Sequence, residues 1–260
     1  MGNIKRKSEP YPIDIFAGER VRELRRIRGM VQEQLAKRIG ITFQQIQKYE
    51  SAANRISASR LHVICEALET NVPDFFTEFY SGRRKQGKTI KILESAEAVE
   101  LARMFFKMPH KKHPGLYEIG KPLARSKRGK EGNAKITDKP KANPESHPVD
   151  VYVGKSIWQF RMITNMSRRQ LSQKIDVRHQ QIEKYETAGN RVAVSRLYLV
   201  CEAFGMSIPE FFADLYGRRK GIMEMVGSRE GMKLACLFFR MSPGNRKHFI
   251  GLGKNLVEEG

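Results

Sequence analysis

The sequence predicts an all-α protein made of two five-helix domains, each followed by a helical extension and joined by a flexible basic linker. Two observations predict this architecture. Apolar residues recur at helical spacing along most of the chain, and the segment 18–80 is repeated without a gap at 154–216. Of the 63 aligned positions in this repeat, 26 are identical. A repeat of that length indicates duplication of a whole domain rather than the short units of a solenoid.

The domain boundaries follow from the repeat and from shifts in composition. We expect a disordered arm at 1–12, a first domain at 13–81, its extension at 88–124, a linker at 125–148, a second domain at 149–217 and a second extension at 222–257. The linker is rich in Lys, Arg and Pro and has no aromatic residue, as is typical of a flexible chain.

The first helix is predicted over about 15–28. Its apolar residues are expected to face the core, namely Ile15, Val21, Leu24 and Ile27. Its arginines, Arg25 among them, are expected to face solvent. The fourth helix begins at Ser57 or Ser59, and the fifth begins at Pro73 and carries three core aromatics, which are Phe75, Phe76 and Phe79. Extension helices are expected at about 94–108 and 116–124, with counterparts at 232–241 and 249–257.

The second and third helices lie within 32–50 and are joined by a tight turn. Gly40 sits in that turn, where a left-handed backbone costs glycine nothing. Thr42 precedes the third helix as an N-cap. The third helix then presents four residues outward, which are Phe43, Gln44, Gln45 and Lys48. This pattern predicts a helix-turn-helix motif, whose second helix enters the major groove of DNA.

The composition indicates what kind of partner the protein binds and gives no sign of a membrane span, a metal site or a catalytic site. The net charge of +20 indicates a polyanionic partner, which is nucleic acid, an anionic membrane surface or an acidic protein. No apolar run is long enough for a membrane span, and the basic start is not followed by the apolar region of a signal peptide, so we expect a cytoplasmic protein without membrane contact. The six histidines show no metal-ligand spacing and no catalytic constellation is recognisable, so no enzyme, metal or cofactor is expected.

The segments FQQIQKYE, NRI, SRL and VPDFF resemble the Cro/repressor-type (XRE-like) helix-turn-helix regulators over 18–80, and the repeat resembles them over 154–216. The resemblance implies a lambda-repressor-like domain of five helices that binds double-stranded DNA and regulates transcription. Members of this family usually act as dimers on near-palindromic operators. The tandem arrangement predicts that one chain carries both DNA-reading domains.

The resemblance also implies which residues contact DNA. In the first domain they are Gln32, Thr42, Phe43, Gln44, Gln45, Lys48, Asn54 and Arg55. In the second domain they are Arg168, Arg178, His179, Gln180, Gln181, Lys184, Asn190 and Arg191. Gln32, its counterpart Arg168 and the Asn-Arg loops would hold phosphates. Thr42, Phe43, Gln44 and Lys48 and their counterparts would face the groove, with Gln45 near backbone or base. A Gln amide pairs bidentately with adenine, and an aromatic ring packs on the methyl group of thymine.

The two copies differ at the motif. Asp176 stands in place of Gly40, and Val31 stands where the second copy has Ser167, so the N-cap of the second helix is lost in the first domain. Arg178 and His179 replace Thr42 and Phe43. These unlike reading helices predict two unlike half-sites, arranged as an imperfect palindrome or as a direct repeat.

The sequence leaves several alternatives open. The two extensions either pack together as an internal pseudo-dimer or each cap their own domain. The chain acts alone or as a homo-oligomer. A linker of this length spans about 30 Å, enough for both domains to engage one DNA site. The alternatives to a DNA-binding regulator are an antitoxin that also binds DNA and an antiactivator that binds a protein partner.

Overall fold

The computed structural model describes residues 9–81, 88–124, 140–217 and 221–258. Within these residues the regular elements are helices, together with one isolated β-bridge between Ser57 and Ala193. The two predicted domains and their extensions are named domain 1, extension 1, domain 2 and extension 2 below. Most of the predicted arm (1–8) and most of the predicted linker (125–139) lie outside the described residues. No helix in the described ranges is both long and apolar enough to cross a bilayer.

Domain 1 and extension 1 contain nine described α-helices and one short 3-10 turn. In domain 1 they are α1 (Pro12–Ile27), α2 (Gln32–Arg38), α3 (Phe43–Glu50), α4 (Ala58–Ala67), α5 (Val72–Phe75) and α6 (Thr77–Tyr80). In extension 1 they are α7 (Lys88–Leu93), α8 (Ala96–Lys107), the 3-10 turn (His110–Lys112) and α9 (His113–Leu123). The predicted fifth helix is thus broken at Phe76 into α5 and α6, and α7 was not predicted from sequence.

In the described residues, domain 2 and extension 2 repeat this order without counterparts of α6 and of the 3-10 turn. In domain 2 the helices are α10 (Pro148–Ile163), α11 (Arg168–Lys174), α12 (His179–Glu186), α13 (Val194–Phe204) and α14 (Ile208–Phe211). In extension 2 they are α15 (Ile222–Met225), α16 (Arg229–Arg240) and α17 (Pro243–Glu258). The all-α prediction with two helix-turn-helix domains is confirmed.

Local backbone chemistry explains where the motif helices begin. The Thr42 hydroxyl accepts a hydrogen bond from the Gln45 N–H at the start of α3, and the Ser57 hydroxyl does the same for the Arg60 N–H at the start of α4. The turn between α2 and α3 needs a left-handed residue, because φ is 65° at Gly40 and 50° at Asp176 in the second copy. The predicted caps and turn are therefore confirmed.

The orientation of α1 differs from the sequence-based prediction. Ile15 and Ile27 are exposed, with 41% and 66% of their surfaces accessible, whereas Arg25 is only 8% exposed. The inward face is formed by Ile13, Ala17 and Val21 and continues at Arg25. Hydrophobic periodicity predicted the wrong face because Arg25 is buried in an ion pair with Glu50. The helix is therefore rotated so that Arg25 faces the core and Ile27 faces solvent.

A close approach between the first and third helices of each domain requires glycine. A Cβ atom added at Gly18 would lie 2.4 Å from the Tyr49 carbonyl oxygen, and one added at Gly154 would lie 2.4 Å from that of Tyr185. These distances are well inside van der Waals contact, so a side chain would push the reading helix away from the core. The core itself is filled by large side chains such as Phe75, Phe76, Phe211 and Phe212, all almost completely buried.

The two domains contact each other through the loop that precedes α4 and its counterpart before α13. The Ala58 N–H donates to the Val192 carbonyl at 2.8 Å, and the Val194 N–H donates to the Ile56 carbonyl, also at 2.8 Å. The two hydrogen bonds are equivalent, because Ala58 aligns with Val194 and Ile56 aligns with Val192 in the repeat. Such reciprocal pairing is the mark of a two-fold, isologous contact.

Two tyrosines extend this reciprocal contact. The Tyr80 hydroxyl accepts from the Ile208 N–H at 3.2 Å, and the Tyr216 hydroxyl accepts from the Val72 N–H at 3.4 Å. Both tyrosines are therefore partners of the first residue of a helix in the opposite domain. Tyr216 also bonds to His62 Nδ1 at 2.9 Å, whereas the position equivalent to His62 holds Tyr198.

The two extensions pack against each other. Helix α8 contacts α17, and α9 contacts both α16 and α17. Helix α16 also packs on α10, where the Cys236 thiol approaches the Met162 carbonyl at 3.4 Å and the Arg240 guanidinium donates to Asn165 Oδ1 at 2.7 Å. Extension 2 thus contacts both extension 1 and its own domain.

The described end of the predicted linker is bonded to domain 2. The Asn143 N–H donates to the Thr187 carbonyl at 2.9 Å, and the Ser146 hydroxyl donates to the Ala188 carbonyl at 2.8 Å. His147 then caps α10 by accepting from the Val149 N–H. The segment from 143 onward is therefore anchored to the loop that follows α12.

Candidate nucleic-acid interface

The outer faces of α3 and α12 carry the predicted groove-facing residues on the surface. Thr42, Phe43, Gln44 and Lys48 are exposed in domain 1, as are Arg178, His179, Gln180 and Lys184 in domain 2. Gln45 and Gln181 are half-buried at the edge of the same faces. Ile46 and Tyr49 anchor α3 from beneath, and both are buried. Domain 1 therefore presents a hydroxyl, an aromatic ring, an amide and an ammonium group, and domain 2 presents a guanidinium, an imidazole, an amide and an ammonium group.

The loops after these helices hold the predicted phosphate contacts. Asn54 and Arg55 are exposed, and Asn190 is half-buried beside exposed Arg191. Asn54 Nδ2 donates to Gln45 Oε1 at 3.5 Å, which links the loop to the reading helix. Arg55 Nε lies 3.7 Å from Asp14 Oδ2, and Arg191 Nε lies at the same distance from Asp150 Oδ2. These carboxylates orient both guanidinium groups while leaving them accessible.

Gln32 and Arg168, the predicted phosphate contacts at the start of the second helix, are bound to carboxylates. Gln32 Nε2 donates to Glu50 Oε2 at 2.8 Å. Arg168 Nε donates to Glu186 Oε2 at 2.8 Å, and its Nη1 lies 3.3 Å from Glu183 Oε1. The Arg168 charge is therefore partly compensated within the domain, in contrast to the exposed Arg178.

A buried ion pair beneath each motif was not predicted from sequence. Arg25 Nε and Nη2 donate to the two carboxylate oxygens of Glu50 at 2.6 and 3.0 Å, and Arg161 is paired in the same way with Glu186. Arg25 Nη1 also donates to the Met30 carbonyl at 2.7 Å. The bidentate pair connects the first helix, the start of the second helix and the end of the reading helix.

Burial and pairing act in opposite directions on the Glu50 carboxyl. Burial alone would raise its pKa, but hydrogen bonds from Arg25 and Gln32, with the positive charges of Arg25 and Arg22, lower the pKa below its ordinary value. Glu50 therefore stays ionised and acts as a structural anion. It is not available as an acid.

The Arg-Leu step of the repeated SRL segment also has a positioning role. Arg60 Nη1 donates to the Ile39 carbonyl at 3.2 Å, and Arg196 donates to the equivalent Ile175 carbonyl. Both carbonyls lie at the end of the second helix, where the chain turns towards the reading helix. These arginines therefore fix the turn of the motif. These arginines and the Arg25–Glu50 pair are identical in both copies of the repeat, and that identity is the sequence signal that could have identified them.

Among the described residues, no group of three or more His, Cys, Asp or Glu side chains is arranged to hold a metal ion. The three cysteines are buried and unpaired by disulfides. Burial raises the pKa of the Cys236 thiol to about 12 and raises that of Cys65 further. These thiols are packed as small core side chains.

The helix-turn-helix family model matches the chain twice, at residues 21–75 and 159–211. A relative from Sinorhizobium medicae strain WSM419, named as an uncharacterized HTH-type transcriptional regulator, is 40% identical over 115 residues, covering 40% of this chain and 83% of the relative. A similarly named protein of Rickettsia conorii strain Malish 7 is 46% identical over 67 residues, covering 26% of this chain and 54% of the relative.

A third relative, from Rhodospirillum rubrum, is named as an uncharacterized transcriptional regulator in the ATPase CF(0) region. It is 50% identical over 72 residues, covering 28% of this chain and 67% of the relative. No solved structure gives a significant match to the chain. Because an alignment of 115 residues covers 83% of the Sinorhizobium protein, that relative has the length of one of the two units present here.

Proposed function

Because this chain belongs to the HTH-type transcriptional regulators, we propose that its two motifs read two unlike half-sites of one double-stranded DNA operator. The proposal rests on one observation above all. The two reading helices expose the same glutamine and the same lysine, Gln44 with Lys48 and Gln180 with Lys184, and their domains are joined by reciprocal backbone hydrogen bonds. One polypeptide then supplies what two copies of a single-unit relative would supply together.

Each exposed position has a defined role in this proposal. Gln44 and Gln180 pair with base edges, because a side-chain amide presents both a donor and an acceptor to adenine. Arg55 and Arg191 bind backbone phosphates and fix the register without reading sequence. Both arginines lie in the loop that follows a reading helix. The Nε atoms of Arg55 and Arg191 lie 3.7 Å from the carboxylates of Asp14 and Asp150, which orient the guanidinium groups.

The half-sites differ because the starts of the reading helices differ. Domain 1 offers Thr42 and Phe43, a hydroxyl and an aromatic ring, with Phe43 42% exposed. Domain 2 offers Arg178 and His179 at the same positions. Arginine at the start of a reading helix favours guanine, whereas an exposed ring favours the methyl group of thymine. Together with the reciprocal contact between the domains, this difference favours an imperfect palindrome over a direct repeat.

Selection from a random duplex pool tests the proposal directly. The expected product is one bound sequence with two halves of different consensus at a constant spacing. A symmetric consensus with interchangeable halves would contradict unlike reading. Failure to enrich any duplex at low salt would contradict DNA binding itself. Salt dependence gives a second measure, since binding that releases counterions from several phosphates weakens steeply as ionic strength rises.

Substitutions separate base reading from phosphate binding. Gln44→Ala and Gln180→Ala are each expected to relax the base preference in their own half-site, with about 1–3 kcal/mol of discrimination lost. Arg55→Ala and Arg191→Ala are expected to weaken binding to all sequences alike and to reduce the salt dependence. Equal weakening on all sequences by the Gln variants would rule out direct readout by these amides.

We infer that the extensions act as an internal pseudo-dimer that supports the paired reading helices. The packing of α8 on α17 and of α9 on α16 supports this, because each pair joins the same two helix types from opposite extensions. Cleavage at a protease site inserted within 125–139 tests it. The halves are expected to co-elute after cleavage, and to dissociate at lower dilution when the residues of both extensions are deleted, because only the contact between the domains then holds them together. Separation with the extensions present would contradict the inference.

A further inference from the structure

A cavity of about 380 Å³ lies between domain 2 and extension 2. Its wall on α10 is formed by Tyr152, Lys155, Ser156 and Gln159. Asp214 and two residues of α15, Met223 and Glu224, close the other side. The cavity lies away from the groove-facing side chains of α12. Its volume is within the range of sites that bind small molecules.

The Gln159 side chain gives this cavity an unmet hydrogen-bonding group. Gln159 is only 3% exposed, and its Nε2 makes no hydrogen bond to any described residue. A buried amide donor without an acceptor is costly, so most proteins avoid it. At the wall of a cavity, the same group is satisfied once a ligand with an acceptor atom is bound.

In domain 1 the equivalent positions are occupied by an ion-pair network. The counterparts of Ser156, Gln159 and Asp214 are Arg20, Glu23 and Glu78 in the repeat. Arg20 Nη1 lies 2.6 Å from Glu23 Oε2 and 3.3 Å from Glu78 Oε2, so a long cation bridges two carboxylates there. In domain 2 the arginine is shortened to serine and the central carboxylate is replaced by a neutral amide.

The replacement in domain 2 removes both the volume and the charge that fill this position in domain 1. A serine hydroxyl cannot span the distance that an arginine side chain spans, and the glutamine can no longer form the ion pair. The extension helix α15 then covers the position from outside through Met223 and Glu224. The result is a partly enclosed space with donors on α10 and carboxylates opposite.

We propose that this cavity is a binding site for a small zwitterion of the amino-acid type. The ligand carboxylate accepts from Gln159 Nε2 and faces the Lys155 ammonium. Its amino group faces the carboxylates of Asp214 and Glu224, and its apolar part lies against Tyr152 and Met223. This assignment goes beyond DNA reading and does not depend on it, because it concerns the face of α10 opposite the motif.

The test uses the full chain and individual free L-amino acids as probes, with binding followed by saturation-transfer NMR and calorimetry. At least one amino acid is expected to bind the unaltered chain. The double variant Ser156→Arg with Gln159→Glu installs the arrangement found in domain 1 and is expected to weaken that binding at least about tenfold. The mirror variant Arg20→Ser with Glu23→Gln changes domain 1 alone and is expected to leave it unchanged.

A second variant guards against loss of folding. Gln159→Leu keeps the volume, removes the unpartnered amide, and is expected to abolish binding while raising the melting temperature of the unliganded chain. The proposal is overturned if no amino acid binds, or if binding survives both Gln159 variants in folded protein. Binding of a neutral monosaccharide in place of every amino acid, lost in the same variants, would overturn the assigned ligand class.

Discussion

The pairing of Arg25 with Glu50 is the residue-scale feature on which each motif depends most. Both residues are buried, at 8% and 3% exposure. The ion pair joins α1 to α3, and the hydrogen bond from Gln32 to Glu50 adds α2. A buried pair adds little net stability over an apolar alternative, but removing one member leaves an uncompensated charge in the core. The pair therefore specifies the orientation of the reading helix.

Glu50→Gln is expected to destabilise the protein by about 3–5 kcal/mol, because Arg25 then lies buried beside a neutral amide. Urea denaturation followed by circular dichroism measures the loss. Glu186→Gln is the matched variant in domain 2 and is expected to behave alike. Glu23→Gln breaks the exposed Arg20–Glu23 pair instead and is expected to cost no more than about 1 kcal/mol. Similar effects of Glu50→Gln and Glu23→Gln would contradict the structural role.

Asp14 gives a pH dependence of the opposite kind to that of a paired carboxylate. It is 4% exposed, and Arg55 Nε lies 3.7 Å from its Oδ2, beyond ordinary hydrogen-bond distance. Burial raises its pKa above the ordinary 3.8, although nearby Ser195 and Arg55 counteract part of that rise. The folded state thus binds this proton more tightly than the unfolded chain does. The contribution of Asp14 to the free energy of unfolding is fully present below pH 3.8 and is lost as pH rises through the raised pKa.

Asp14→Asn mimics the protonated form and is therefore expected to raise the melting temperature at pH 7. The difference from the unaltered chain is expected to shrink as pH falls and to vanish below pH 3.8, where the native carboxyl is also neutral. Thermal denaturation at a series of pH values measures it. A stabilisation that is independent of pH would show that the effect comes from packing and not from the buried charge.

At the scale of the element, the two copies form an internal comparison of helix caps. The Ser167 hydroxyl accepts from the Gln170 N–H at 3.1 Å at the start of α11. Val31 has no side-chain acceptor at the start of α2, although the Gln34 side chain still accepts from the Val31 N–H at 2.8 Å. Half of a capping box is thus present in domain 1 and a whole one in domain 2.

Val31→Ser is expected to stabilise domain 1 by about 1 kcal/mol, because the new hydroxyl satisfies a free N–H of α2. Val31 is 54% exposed, so the loss of its buried apolar surface is small. Ser167→Val in domain 2 is the reverse change and is expected to cost a similar amount. Denaturation of both variants decides the point. A destabilising Val31→Ser would mean that the valine side chain contributes packing that its exposure does not suggest.

Much of each motif could be predicted from sequence, because its determinants are local. A glycine in the turn, a threonine cap and buried residues such as Ile46 follow rules that act within a few positions. The face of α1 could not be predicted, since Arg25 is drawn inward by a partner 25 residues away. The helices α7 and α15 were missed because segments this short carry too little periodicity to stand out.

The contact between domains is the whole-molecule feature that sequence could not supply. It depends on backbone groups of Ile56, Ala58, Val192 and Val194, and backbone pairing leaves no residue pattern. The sequence left open whether a flexible linker alone, or also the packing of the two extensions, sets how far apart the reading helices lie. The reciprocal hydrogen bonds, extended by Tyr80 and Tyr216, instead favour a fixed separation.

A fixed separation makes a prediction about operator spacing. Once selection has identified the operator, inserting about five base pairs between its halves turns one half-site to the opposite face of the duplex, because one turn takes about 10–10.5 base pairs. Affinity is expected to fall about 100-fold or more, to the level of one domain binding alone. An insertion of one full turn returns both half-sites to the same face of the duplex but increases the distance between them. Affinity is therefore expected to fall for this operator as well. Gel-shift titration measures both.

The full-turn insertion separates the two mechanisms most clearly. Domains tethered only by a flexible linker would still reach the displaced half-site, because the residues of 125–148 extend to about 80 Å, and they would keep part of the advantage of binding through both domains. Domains joined through Ala58 and Val194 would not, since reaching it requires breaking the interface. A chain carrying Gln180→Ala with Arg191→Ala is the control, because binding through domain 1 alone is expected to ignore every insertion. Tight binding of the unaltered chain to the full-turn operator would therefore mean that the domains separate on DNA.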